Sequence, residues 1–180
     1  MSGPGGAWLA ALPPDGTHSR RDPTVRQAVR LRARLACEYC LMPDDGDFEV
    51  EHIIPSRRWP AYAANRLPHV PARPGHRGPD HVDNYAWSCP RCNGHKRERV
   101  QHQAAGGWQR LYDRRHDGWP DHFRLSPSGL LIIPITPVGA ATRAALKLNG
   151  TEANPYVLEL RALLIGRGAF PPGWAAAWRL

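Results

Sequence analysis

Two Cys-x-x-Cys pairs, Cys37/Cys40 and Cys89/Cys92, use every cysteine of the chain, and nothing else in it restricts the fold as strongly. Two intervening residues let a tight turn aim both thiolates at one ion, and two such knuckles complete a tetrahedral Zn²⁺ shell. A shell of four thiolates has no open position, so the zinc is expected to be structural, tying together the ends of whatever lies between the knuckles. Cys40 and Cys89 are separated by 48 residues, which leaves room for a further element. A disulfide or redox role for the pairs is the weaker reading, because both adjoin the same strand-like segments and close thiol pairs in a reducing compartment more often hold metal. The N-terminal stretch MSGPGGAWLAALPP lacks the basic start and long apolar core of a secretory signal. The most apolar run, 130–135, already contains Pro134 and is far shorter than the roughly 20 residues of a membrane-spanning helix. The expectation is a cytoplasmic protein without membrane contact.

Charge points to the partner. Twenty-four Lys and Arg against 16 Asp and Glu leave a net charge of +8 and a pI near 9.9. With no amphipathic membrane segment beside it, that excess favours nucleic acid. Along the chain, residues 1–21 are punctuated by Gly and Pro and read as a flexible tail. Asp22 then caps a helix with Pro23 in its first turn. Val25, Ala28, Leu31 and Leu35 share one face of it, and Arg26, Arg30, Arg32 and Arg34 are interleaved. That basic face suits solvent and DNA equally well. The helix is expected to run to the first knuckle. Residues 48–54 alternate and end at Pro55, a strand, and 85–88 form a second one. The Pro- and Arg-rich stretch 56–82 between them is a long loop, and a loop of that length is functional or mobile. A helix follows Cys89 to about residue 103. After Gly106-Gly107 the pattern predicts strands at 122–125 and 130–133 around the turn 126–129, then helices over 137–148 and 155–165.

The motifs CEYC (37–40), EHIIP (51–55), DNYAWSCPRCN (83–93) and GHK (94–96) together resemble the HNH family of nucleases, and specifically the branch that braces its site with four cysteines. WPDHFRL, LLIIPITPVGAATRAALKLN and LELRALL resemble that branch's C-terminal part, so the likeness covers roughly residues 25–165. It implies an α+β fold: a zinc-braced ββα-metal nuclease core over 22–105, with a basic N-terminal helix, and a small α/β extension over 106–180 packed on it. It also implies roles. His52 would be the general base, Glu51 and Asn93 the ligands of a catalytic Mg²⁺ or Mn²⁺, and Asn84 the residue that orients His52 through its ring or the loop backbone. These types suit the work: imidazole accepts protons near neutral pH, and carboxylate and carboxamide oxygens suit hard divalent cations. Lys96 and Arg97 lie one turn beyond Asn93, on its face, and with Arg57 and Arg58 are the candidate phosphate contacts. His95 is set aside, since its side chain diverges from that of Asn93 by about 200° around a helix.

Three departures stand out: Glu51 where the family more often has Asp, Arg97 where it often has Gly, and the length of 56–82, which reads either as a DNA-embracing loop or as an insertion. The implied activity is metal-dependent hydrolysis of phosphodiester bonds, with double-stranded DNA the expected substrate. The alternatives are a non-catalytic zinc-containing nucleic-acid-binding module and a nuclease subunit working with a protein partner or as a homodimer. His122 is expected to be structural, and Trp108, Trp119 and Phe123 to pack the C-terminal part onto the core.

Overall fold

A computed structural model describes residues 16–180, so residues 1–15 of the expected tail lie outside it. The architecture of the described residues is mixed α+β, with three separate two-stranded antiparallel sheets. No helix among the described residues is long and apolar enough to cross a membrane. The elements in chain order are α1 (Pro23–Arg32), β1 (Glu49–His52), α2 (Trp59–Ala63), β2 (Tyr85–Ser88), α3 (Pro90–Lys96), β3 (Gln101–Ala104), β4 (Gly107–Arg110), the single turn α4 (Trp119–His122), β5 (Phe123–Leu125), β6 (Ile132–Pro134), α5 (Pro137–Leu146) and α6 (Tyr156–Gly166).

Helix α1 begins where Asp22 caps it, accepting from the Thr24 amide at 2.7 Å. It stops at Arg32 rather than at the first knuckle, because Arg34 and Leu35 take positive φ and swing the chain into the turn that holds Cys37. Its arginines do not form a free basic face. Arg26 donates to the Phe48 carbonyl at 3.0 Å and lies over the Trp87 ring; Arg30 pairs with Asp44 at 2.5 Å; Arg34 lies over Trp174. Arg32 donates to the carbonyls of Val82 and Tyr85 at 3.0 and 2.7 Å. Burial, joined by the nearby Arg115 charge, pulls its guanidinium down to about 9. These cations staple α1 to the site's frame. Residues 16–21 are also held: His18 is buried and its amide donates to the Asp80 carbonyl at 2.7 Å.

Strands β1 and β2 pair with Glu49 opposite Ser88 and His52 opposite Tyr85. The stretch 56–82 is more structured than a loop: it opens with a 3₁₀ turn, Ser56–Arg58, and α2, and closes in a second 3₁₀ turn, Val82–Asn84. Helix α3 ends at Lys96, earlier than expected, and Gln101–Arg110 forms the hairpin β3–β4 instead. Its turn at 105–106 needs the left-handed backbone of Gly106, φ 97°. This hairpin spans the division between core and extension, and α5 packs on β3, β4 and α3. Gly139 of α5 sits so close to the His122 carbonyl that a Cβ there would clash with it. In the C-terminal part Arg161 of α6 is fully buried, donating to the carbonyls of Leu130 and Leu148 at 3.0 and 2.6 Å. Trp119 and Phe123 are buried as expected of packing residues, but Trp108 is 47% exposed, since β4 turns its side chain outward at the hairpin edge.

Candidate functional site

The knuckles meet. Cys37, Cys40, Cys89 and Cys92 are all buried and none is in a disulfide, and their sulfurs lie within 4.8 Å of one another. Sulfurs 2.3 Å from a tetrahedral zinc stand about 3.8 Å apart, and the Cys40 and Cys89 sulfurs are 3.7 Å apart. The donor set and spacing therefore fit a structural metal such as zinc. Each knuckle is shaped locally. The first closes with the Leu41 amide on the Cys37 carbonyl and the Cys37 amide on the Met42 carbonyl, both at 2.9 Å. In the second, Cys89 caps α3, accepting from the Cys92 amide at 3.4 Å. Glu38 bridges the two, accepting from the Trp87 amide at 2.9 Å. Hydrogen bonds from the other three thiols hold Cys40 well below the ordinary thiol range, the state a metal ligand needs.

The opposite end of the β1–β2 pair carries His52. His52 closes β1, and its Nε2 lies 2.9 Å from Asp80 Oδ1. Tyr85, its cross-strand partner, packs edge-on against the imidazole with ring centroids 5.2 Å apart. Asn84 is buried and does not touch the imidazole. Its carboxamide accepts from the Ile54 amide at 2.8 Å and donates to the carbonyls of Ile54 and Pro79 at 2.8 and 2.9 Å. It thereby clamps the chain just after His52 to the chain just before Asp80. Asn84→Ala leaves those three backbone groups without their partner, and is expected to cost about 3 kcal/mol, measured by denaturant unfolding.

Alternation along β1 sends Glu51 to the other face, under α3. There its Oε1 pairs with the Lys96 ammonium and its Oε2 accepts from Tyr39 Oη at 2.7 Å. Lys96 also donates to the His52 carbonyl at 2.8 Å. Burial raises the Glu51 carboxyl above its ordinary value despite the opposing pull of Lys96 and Tyr39. Two sequence expectations change here. Lys96 is 1% exposed and is an internal counter-ion, not a phosphate contact. Glu51 offers a divalent cation no unengaged oxygen, since Lys96 and Tyr39 take both, and Asn93 is directed to the far end of β1, where its amide nitrogen donates to Glu49 Oε2 at 2.9 Å. Helix geometry explains this, since α3 crosses β1 so that positions 93 and 96 reach residues 49 and 51 separately. Removing one partner of the buried pair, by Glu51→Gln or Lys96→Met, is expected to cost about 3–5 kcal/mol. The joint replacement Glu51→Leu/Lys96→Met should recover most of it in the same denaturant titration.

The chain matches no family model, no curated protein and no solved structure.

Of the remaining candidates, Arg57 is exposed and pairs with Glu98 at 3.4 Å. Arg58 and Arg97 both line an open groove of about 680 Å³ together with Arg99, His102 and Trp108, with Glu98 the acidic member of its wall. Arg97 takes φ 49° as it ends α3. His122 is half-buried beside Thr136, 2.6 Å from its hydroxyl, which caps α5. Sequence reasoning missed Asp80, Tyr39, Arg99 and His102. Arg99 and His102 lay in the stretch read as helix, while Asp80 and Tyr39 carry no spacing signal, because contacts 28 and 12 residues apart set their roles.

Proposed function

We propose that the chain is a nuclease of the HNH type that hydrolyses phosphodiester bonds in DNA, with His52 as the general base. The observation that carries this reading is the His52–Asp80 pair, 2.9 Å apart, at the end of the β1–β2 pair opposite the four-cysteine cluster. An Asp80 carboxylate accepting Nε2–H fixes the tautomer and leaves Nδ1 as the basic nitrogen, able to take a proton from attacking water. Asn84 is a positioning residue, acting through the backbone on either side of that pair. The groove walled by Arg58, Arg97 and Arg99 supplies cations for a phosphate backbone, and exposed Trp108 a face on which a base can stack. Both Glu51 oxygens are engaged by Lys96 and Tyr39, and the proton transfer rests on His52 and Asp80.

The Glu51–Lys96 lock favours a second reading, a non-catalytic zinc-containing module that binds nucleic acid through the same groove. Incubating the zinc-loaded chain with supercoiled plasmid, in parallel with Mg²⁺, with Mn²⁺ and with EDTA, separates the two. Nicked or linear product supports the nuclease, and its metal dependence tests the cation assignment directly. A gel shift with no product under any condition, for DNA and then for RNA, would favour the binding module.

A further inference from the structure

Away from both the four-cysteine cluster and His52, the stretch before Asp80 meets the segment that follows β4, and three ligand-type side chains converge. The Nε2 atoms of His76 and His116 face each other at 2.8 Å. Asp113 Oδ2 lies 4.0 Å from His116 Nε2, and all three ligand atoms fall within 4.8 Å of one another. Nitrogens bound at 2.0–2.1 Å to a tetrahedral ion stand about 3.4 Å apart. For one ion to bind both, the imidazoles would have to part by only about half an ångström, and the carboxylate would have to close on His116 by a similar amount.

The surroundings are built as a metal's outer shell is built. Tyr62 is buried and its Oη lies 2.8 Å from His76 Nδ1. That oxygen already accepts from the Arg73 amide at 3.0 Å, and accepting the His76 Nδ1–H as well would leave Nε2 with its lone pair toward His116. Trp59 stacks on His76, with an interplanar angle of 22°, and sets the ring's orientation. Asp113 Oδ1 is committed to the Arg115 amide at 3.0 Å, so Oδ2 is the oxygen turned toward the cluster. The competing cation is Arg73, whose Nε lies 3.9 Å from that oxygen, too far for a close hydrogen-bonded pair.

We propose that His76, Asp113 and His116 form a second metal site, taking a first-row divalent ion of the zinc class. Two imidazoles and one carboxylate suit such ions better than Mg²⁺ or Ca²⁺, and three protein ligands leave a coordination position open to water or to an anionic ligand. The site joins the 56–82 stretch to the C-terminal part four residues before Asp80, and so steadies the segment that carries the partner of His52. It stands independently of the nuclease reading.

The test is cobalt(II) titration of the full chain from its metal-free form, which refolds as the four-cysteine cluster fills. Cobalt in the four-cysteine cluster produces an intense thiolate-to-metal charge-transfer band, whereas a site of two imidazoles and a carboxylate adds only weaker visible bands. The expected result is a second phase of uptake after the thiolate band has saturated. His116→Ala should abolish that phase and leave the thiolate band intact, the band itself certifying that the variant is folded. Tyr62→Phe should weaken it about 10- to 100-fold. Saturation with the thiolate band alone in the parent chain, or an unchanged second phase in His116→Ala, would overturn the proposal.

Discussion

Cys92→Ser, or stripping the metal with a strong chelator, is expected to unfold the chain outright. The four sulfurs sit in the interior, with Cys37 and Cys92 fully buried, and they are the point where the turn after α1, the end of β2 and the start of α3 meet. Without an ion, hydrogen bonds with the neighbouring thiols, together with burial, push the Cys92 thiol far up. With an ion, binding free energy becomes folding free energy, of the order of 10 kcal/mol for structural zinc. That is comparable to the whole stability of an ordinary domain, about 5–15 kcal/mol. The knuckles also gather the core. Glu38 of the first holds the Trp87 amide at 2.9 Å, and Trp119 donates to the Tyr39 carbonyl at 3.1 Å, so the C-terminal part loses its seat when the first knuckle opens. Circular dichroism melts and zinc content per chain, read together, are the measurement. A Cys92→Ser chain that kept its near-ultraviolet signal and a cooperative melt would show that the cluster is not what holds the fold.

How much of this was legible in the chain depended on the range of the interaction. The knuckles were legible because a two-residue spacing is a local constraint that any fold must satisfy, and the cap at Asp22 is local in the same way. Strand β1 and its partner were legible through alternation. The β3–β4 hairpin was not: Gln101–Ala104 and Gly107–Arg110 have no buried face, so no apolar alternation distinguishes them from a continuing polar helix, and only the left-handed Gly106 marks the turn. Lys96 was misread for a different reason. It stands three residues from Asn93 on α3, but its partner Glu51 is 45 residues away, and a buried ion pair leaves no trace in the local pattern. The arginines of α1 make the same point. A basic helix face and a set of internal staples are identical in sequence, and only the acceptors on Phe48, Val82 and Tyr85 decide between them.

His52→Ala should lower plasmid cleavage by about 10²- to 10⁴-fold, the usual contribution of a positioned acid–base group, while leaving the fold and DNA binding in place. The fold is expected to survive because the imidazole is a partly exposed side chain at a strand end, 15% accessible, whose loss removes one contact with Tyr85 and one with Asp80. Binding is expected to survive because the groove's cations come from Arg58, Arg97 and Arg99. Asp80→Asn is the sharper variant. It keeps the side chain's size, but an amide can turn its N–H toward Nε2 and stabilise the tautomer in which Nδ1 carries the proton. If the carboxylate's task is to hold the tautomer, cleavage should fall by up to about 10⁴-fold with little change in melting temperature. A merely structural Asp80 would show the reverse, a lowered melt with proportionate loss of activity. Asn84→Ala gives the contrast, since its three backbone hydrogen bonds predict a loss of stability first. Cleavage by His52→Ala at the parent rate would remove the general base from this site. With Glu51 already locked to Lys96, it would leave the groove's binding chemistry as the protein's remaining function.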